Sequence, residues 1–327
     1  MKYTPFVYWK EPGDDSVYTV TNPGLKETNT PRIDAEGFLM YPYESKKGYL
    51  FEGKIEKTDH LIFDTNVLKD EEAPLSSGFE EYTSITKLAI DKIKKGIFQK
   101  VVLARSFCIP LPLHFDPMRF FTSLKSKYPS ALVYCAGFNQ TIWVGATPEI
   151  FLKKESDTYL TYALAGTTTT DESLSFGTKE KSEQALVKDY IVETLSNQMV
   201  SHLIINKVTE LNTGNLRHLI NEITFKTSEP LNVITHLHPT PAVCGTPLSA
   251  AKEFIKTYEN LDREYYSGMV GPVYANNDFA LWVNLRCGKI TNKRITLYAG
   301  AGIVSESVPT LEWQETEKKM ETLRACL

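Results

Sequence analysis

The sequence predicts an α+β fold, one large domain with a high share of antiparallel sheet. Three observations predict it. Strand-like runs rich in β-branched and aromatic residues cluster together and do not alternate strictly with helices, as a βαβ array would require. The C-terminal part contains a long hairpin signal, FALWVNLRCGKI–TNK–RITLYAGAGIV. Stripes of apolar residues at helical spacing flank these runs, and no linker, repeat or long charge block divides the 327 residues.

Residues 1–84 are less patterned, with loops expected at Pro12–Asp15 and around Asp70–Gly78. Residues 81–95 carry Ile85, Leu88, Ala89 and Ile93 at helical spacing, and Gly96 stops the run. KVVLARSFCIP is β-rich and closed by Pro110; Pro117–Tyr128 reads as a short helix. ALVYCAGF, TIWVGATPEIFLKK and TYLTYALAG follow as three strands. Residues 179–203 read as the clearest helix, with Ala185, Val192, Leu195, Met199 and Leu203 on one stripe. Another helix follows Thr246-Pro247 and runs to about Tyr258, and after the hairpin a last one runs from about Thr310 to Leu327.

Composition excludes several function classes. A net charge of -4, with no Lys/Arg stripe interleaved with aromatics, argues against nucleic acid. The short clusters Lys92, Lys94, Lys95 and Lys318, Lys319 read as solvated helix faces. No apolar run approaches the roughly 18 residues of a membrane span, and the start lacks a secretory pattern. The five cysteines are scattered without a CxxC, so the cytoplasm is the expected compartment.

Two carboxylate pairs stand out. Glu180 and Glu183 near the start of one helix, and Glu312 and Glu315 near the start of the last, each share a face at i, i+3. Facing each other they would suit a hard cation such as Mg²⁺, which wants oxygen ligands. The plainer alternative is a polar helix face, with Glu315–Lys319 as a surface pair. Lys100 falls on the strand face of Val102 and Ala104, and Arg286 on that of Ala280, Trp282 and Asn284. Such charges either meet a counter-charge inside or snorkel at a strand end. Glu149, after Pro148, suits a turn. AGAGIV lacks the third glycine of a dinucleotide fingerprint, and LAGTTTT lacks the Lys-Ser/Thr of a P-loop; both can bring backbone N–H groups to an anion or simply turn the chain. His236 and His238 lack a third zinc ligand and read as polar loop residues. No GxSxG is present.

Ten segments, in order and spacing over residues 85–327, resemble the chorismate-utilising enzymes: FQKVVLAR, GATPEIFL, ALAGT, KEKSEQALV, RHL, HPTPAVCGTP, DREYYSGMVGPV, NLRCGKI, YAGAGIV and EWQETEKKM. That family includes isochorismate, salicylate, anthranilate and aminodeoxychorismate synthases. The resemblance implies two antiparallel sheets packed face to face with helices outside, Mg²⁺ as cofactor and chorismate as substrate. It implies Glu183 and Glu315 as direct metal ligands, with Glu180 and Glu312 acting through water. Arg286, Lys319, Tyr266 and the backbone near Gly300 and Gly302 would hold the enolpyruvyl side, Gly166 would lie by the 4-hydroxyl, and His218 would line the site.

The resemblance also narrows the reaction. Lys100 stands where ammonia-using members carry glutamine; water needs a base, and Glu149 on the other ring face would be the acid, its pKa raised by enclosure. Ala165 replaces a lysine nucleophile typical of aminodeoxychorismate synthases. Ala242 replaces a threonine typical of anthranilate and salicylate producers. Isochorismate is therefore the expected product, for menaquinone or a siderophore, with salicylate synthesis or a silent chorismate-binding subunit as the alternatives. A monomer without an amidotransferase subunit is expected. Departures from the family are the short N-terminal part, Gln184 in place of histidine, and Tyr-Ser-Gly before MVG.

Overall fold

The computed structural model describes residues 4–44, 47–63, 68–72, 78–169, 175–213 and 216–327. Part of the anticipated Asp70–Gly78 loop (73–77), and Thr170, lie outside the described residues.

The N-terminal part, expected to be weakly patterned, carries six strands: β1 (Phe6–Lys10), β2 (Tyr18–Val20), β3 (Gly24–Thr28), β4 (Gly37–Tyr41), β5 (Gly48–Glu52) and β6 (Ile55–Lys57). They were hidden for two reasons. None exceeds five residues, and β4 is buried along its whole length, so no polar alternation marks it. Next come α1 (Phe79–Lys94), β7 (Lys100–Pro110), α2 (Pro117–Lys127), β8 (Leu132–Phe138), β9 (Thr141–Thr147), β10 (Ile150–Glu155), β11 (Thr158–Thr169) and α3 (Thr178–Ser196). Asp116 caps α2 by accepting from the Met118 N–H at 2.8 Å. The chain continues with β12 (Val200–Ile205), β13 (Thr209–Thr213), β14 (Leu216–Thr227), α4 (Pro230–Leu237), β15 (Gly245–Thr246) and α5 (Leu248–Tyr258). It ends with β16 (Met269–Val273), β17 (Phe279–Val283), β18 (Cys287–Ile290), β19 (Arg294–Ile303) and α6 (Pro309–Arg324).

Helix α3 corrects one expectation. It stops at Ser196, not 203, because Val200–Ile205 pairs with β14 as an edge strand. Its buried stripe is Val187, Ile191 and Leu195, while Met199 is exposed. Tertiary pairing of a β-branched run has overridden a helical pattern.

All strand pairs are antiparallel and form two sheets. The nine-stranded sheet runs β15-β7-β19-β18-β9-β8-β1-β2-β6, and the ten-stranded sheet runs β12-β14-β11-β10-β17-β16-β4-β5-β3. They pack face to face through Trp9, Phe38, Tyr134, Trp143, Trp282 and Tyr298. Burying each large apolar side chain contributes roughly 1.5–3 kcal/mol. Helices α1, α2, α5 and α6 cover the outside of the first sheet, and α3 and α4 the outside of the second. Among the described residues no helix is long and apolar enough to cross a membrane.

Two strands read as continuous are each broken in two. The chain leaves the nine-stranded sheet after β9, turns at Pro148-Glu149 and enters the ten-stranded sheet as β10. It returns after β17, turning at Asn284–Arg286 to become β18. The crossings are bonded to the strands beside them: Val283 N–H donates to Glu149 O at 2.9 Å, and Ala146 N–H to Arg286 O at 3.1 Å. Arg286 accepts a left-handed φ of 48° at its turn.

Candidate active site

Strand β7 delivers the first group. Ala104 faces the core between the sheets, while Val101 and Leu103 face α1 and α5. Lys100 shares the inward face, as period two requires. Its side chain is 0% exposed, and its Nζ lies 2.8 Å from Glu183 Oε1 on α3. The inward charge has therefore met a counter-charge, and the snorkelling alternative does not hold.

The two sheet crossings deliver the next pair. Glu149, 2% exposed, does more than shape a turn: burial pushes its carboxyl up to about 8, although Lys100, Lys319 and Arg286 pull it down. The rise is present without substrate. Arg286 is buried, and its Nη1 meets no hydrogen-bond acceptor among the described residues. A buried guanidinium N–H left in that state favours an anionic ligand. Burial, Arg286 and Lys319 hold His218 of β14 well below its usual range, so the ring is neutral.

Helix α6 brings Glu315 and Lys319, paired at 2.7 Å, to the wall of the same pocket. Lys319 also donates to Gly300 O at 2.8 Å, which ties α6 to β19. The pair is more than surface decoration, because both partners line a cavity together with Glu149, Glu183, Arg286 and His218. Gly166, Ala165, Ala242, Tyr266, Gly300 and Gly302 line it too. Gly166 sits at φ 72°, where a Cβ would collide with Glu180 O; Gly302 is needed because a Cβ there would strike Glu183 Oε1. Tyr266 stacks on Tyr298, ring centroids 5.7 Å apart.

The four helical carboxylates separate into two roles. Glu183 and Glu315 reach the cavity from helices on opposite sheets. Glu180 turns back to accept the Gly177 N–H at 2.9 Å and caps α3, and Glu312 is buried outside the lining. Among the described residues no three Asp, Glu, His or Cys side chains form a preformed metal cluster. Only Glu183 and Glu315 of the four reach the lining, and each is paired with a lysine. The donors still fit a hard divalent cation: two oxygen-only ligands face one space, and Gly302 leaves Glu183 room.

Some contributors had no signal strong enough to single them out. Glu259 and Arg263 form a buried pair at 2.6 Å. Arg263 donates to Val243 O and Val102 O, both at 2.8 Å, and Glu259 accepts the Ala104 N–H at 2.7 Å. That pair pins the pocket wall to β7; its i, i+4 spacing was the available clue. Asn284 accepts from Tyr134 Oη at 2.7 Å and donates to Tyr265 O at 2.9 Å, which fixes the second crossing. Gln184 donates to Asn221 Oδ1, linking α3 to β14. His236 lies exposed on α4, and His238 bonds Pro42 O at 3.1 Å, so they form no zinc pair.

A family model described as "chorismate binding enzyme" matches residues 52–327. Isochorismate synthase DhbC of Bacillus subtilis is 28% identical over 265 residues, covering 75% of this chain and 67% of that protein. Isochorismate synthase MenF of Haemophilus influenzae is 31% identical over 246 residues, covering 71% of this chain and 56% of that protein. The chain thus spans about half to two-thirds of the length of these relatives. The solved structure of MenF, the menaquinone-specific isochorismate synthase of Escherichia coli, superposes with a TM-score of 0.82 at 22% identity, covering 99% of this chain and 88% of the other. At that identity the likeness concerns the fold.

Proposed function

The chain belongs to the chorismate binding enzymes, and from that premise we propose that it isomerises chorismate to isochorismate. Water adds at C2, the diene shifts round the ring, and the C4 hydroxyl departs. The observation that carries the reading is a buried carboxyl held protonated on the pocket lining, Glu149, with a buried lysine, Lys100, just behind that lining and paired with Glu183, which does line it. Lys100 takes the proton of the attacking water, and Glu149 gives its proton to the leaving oxygen. Each contributes about 10²–10⁴-fold. Atoms balance: one water enters, one leaves.

The substrate is a dianion, and the pocket supplies cationic partners for it. Arg286 offers a planar fork to the enolpyruvyl carboxylate. Lys319, Tyr266 and the backbone at Gly300 and Gly302 complete that side. Gly166 leaves room by the 4-hydroxyl, and neutral His218 lines the pocket without adding charge. Glu183 and Glu315 would hold Mg²⁺, whose charge would neutralise the ring carboxylate; Glu180, which caps α3, and Glu312, which lies outside the lining, would reach the ion only through water.

Ala165, which cannot form a covalent adduct, and Ala242, which lacks a hydroxyl, favour release of isochorismate. We further propose one domain over residues 1–327, a cytoplasmic monomer that works without an amidotransferase or nucleic acid, and a product that serves menaquinone or siderophore synthesis. Incubation with chorismate and Mg²⁺, followed by product separation, tests the reading. Isochorismate alone is expected; salicylate with pyruvate would instead assign a salicylate synthase, and unchanged chorismate a binding subunit.

A further inference from the structure

Strand β7 carries a second buried cation on its opposite face. Arg105 is 1% exposed, and its Nε donates to Thr316 Oγ1 on α6 at 2.7 Å. Its Nη2 pairs with Glu317, and its guanidinium carbon lies 3.6 Å from the centroid of the Trp313 ring. Thr316 Oγ1 donates in turn to Trp313 O at 2.7 Å. Phe79 and Tyr82 of α1 pack edge-on against Trp313, at 5.5 and 5.6 Å between centroids, and so cover the contact.

Three neighbouring positions of α6 are therefore gripped by one planar group through a hydrogen bond, an ion pair and a ring face. Residues 313, 316 and 317 share one side of the helix. Glu312, Glu315 and Lys319 lie on the adjoining side, about 100° round per residue step. A small rotation of α6 would swing the Glu315 carboxylate and the Lys319 ammonium together, because both extend from the helix into the pocket. Arg105 itself does not line that pocket.

We propose that Arg105 is a positioning residue: from the outer face of β7 it fixes the rotation of α6 and so aims Glu315 and Lys319 at the site whose base, Lys100, stands on the inner face of the same strand. The proposal rests on the reading of that pocket as a site for a divalent cation and chorismate. A merely structural role would lower stability yet leave the folded protein's metal affinity unchanged. Loss of a group bonded directly to a metal ligand typically weakens metal binding about 10–100-fold, and Arg105, one contact further from Glu315, belongs at the lower end of that range.

The test is titration with Mn²⁺ in the absence of substrate, alongside kcat and KM for chorismate, on protein shown to be folded by circular dichroism. Arg105→Met is expected to weaken Mn²⁺ binding about tenfold and to lower kcat. Arg105→Lys keeps a charge for Glu317 but loses the fork and the flat face, so it should fall nearer Arg105→Met than wild type. Thr316→Val, close to isosteric, should move in the same direction by a smaller factor, and it decides the matter if Arg105→Met does not fold. Wild-type Mn²⁺ affinity and kcat in folded Arg105→Met, or failing that in Thr316→Val, would overturn the proposal. If the wild type bound Mn²⁺ but left chorismate unchanged, the functional reading would fall and the affinities would still judge the clamp.

Discussion

Lys100 Nζ stands 2.8 Å from Glu183 Oε1, so the group that would activate water and a group that would hold the metal occupy each other. Bringing a divalent cation to Glu183 draws that carboxylate away from the lysine it is paired with. The two events are coupled by one short distance. Lys100→Met should consequently bind Mn²⁺ severalfold more tightly without substrate, while turnover falls about 10²–10⁴-fold. Calorimetric titration and initial rates check both halves; unchanged turnover would remove Lys100 from the base role.

Metal addition should stabilise the protein. At a hundred times its dissociation constant, Mg²⁺ is worth about 2.7 kcal/mol through preferential binding to the folded state. Melting curves with Mg²⁺ and with EDTA should differ accordingly. Glu183→Gln and Glu315→Gln should each shrink that difference, whereas Glu155→Gln, an exposed change on β10, should leave it alone.

Glu149 predicts opposite effects on rate and stability. Its carboxyl titrates near 8 when folded against 4.5 as a free group, so the folded chain binds more protons between those values. Stability is fully present below about 4.5 and falls as pH rises towards 8, because ionisation inside is opposed. The acid role requires the protonated form, so the rate should fall as pH passes about 8. Glu149→Gln should be nearly inactive yet melt higher than wild type at pH 8–9. Wild-type activity in that variant would defeat the assignment.

Ser267 sits at φ 63°, where a side chain is strained. Ser267→Gly should raise stability in denaturant titrations by up to about 1 kcal/mol, relief of the strain being partly offset by the greater freedom of unfolded glycine. A loss of stability would show that its buried hydroxyl matters more than its backbone.

Removing one partner of the Glu259–Arg263 pair leaves a buried charge alone. Glu259→Gln should destabilise by about 3–5 kcal/mol, read as a shifted urea midpoint. Because Arg263 also holds Val102 O and Val243 O, KM for chorismate should rise in whatever fraction stays folded.

The fold class was legible in the sequence, while the short strands, the sheet crossings and the side-chain partners were not. Lys100 and Arg286 were visible as charges on strand faces, Glu149 read locally as a turn residue and drew notice only through the family resemblance, and the structure buries all three. The carboxylate spacing on α3 and α6 was visible, but not that Glu180 spends its side chain on a cap. Strand breaks at Pro148 and Asn284 escaped notice because hydropathy continues smoothly across them; only the pairing partners change. The N-terminal strands escaped because short or doubly buried strands have no alternation to read. Arg105 was quoted within a motif, yet nothing local indicates that its partner lies on α6, 211 residues away.

Glu149 and Arg286 are carried by adjacent seams where the backbone passes from one sheet to the other and is stitched to its neighbour at each passage. Glu149 and Arg286, the proposed proton donor and anion anchor, therefore cannot drift apart unless the two layers slide. Substitutions deep between those layers, at Trp282 or Tyr134 for example, should register first as altered kinetics, well before the protein unfolds. New chemistry on this scaffold has its freedom elsewhere, at single wall positions such as Ala165 and Ala242.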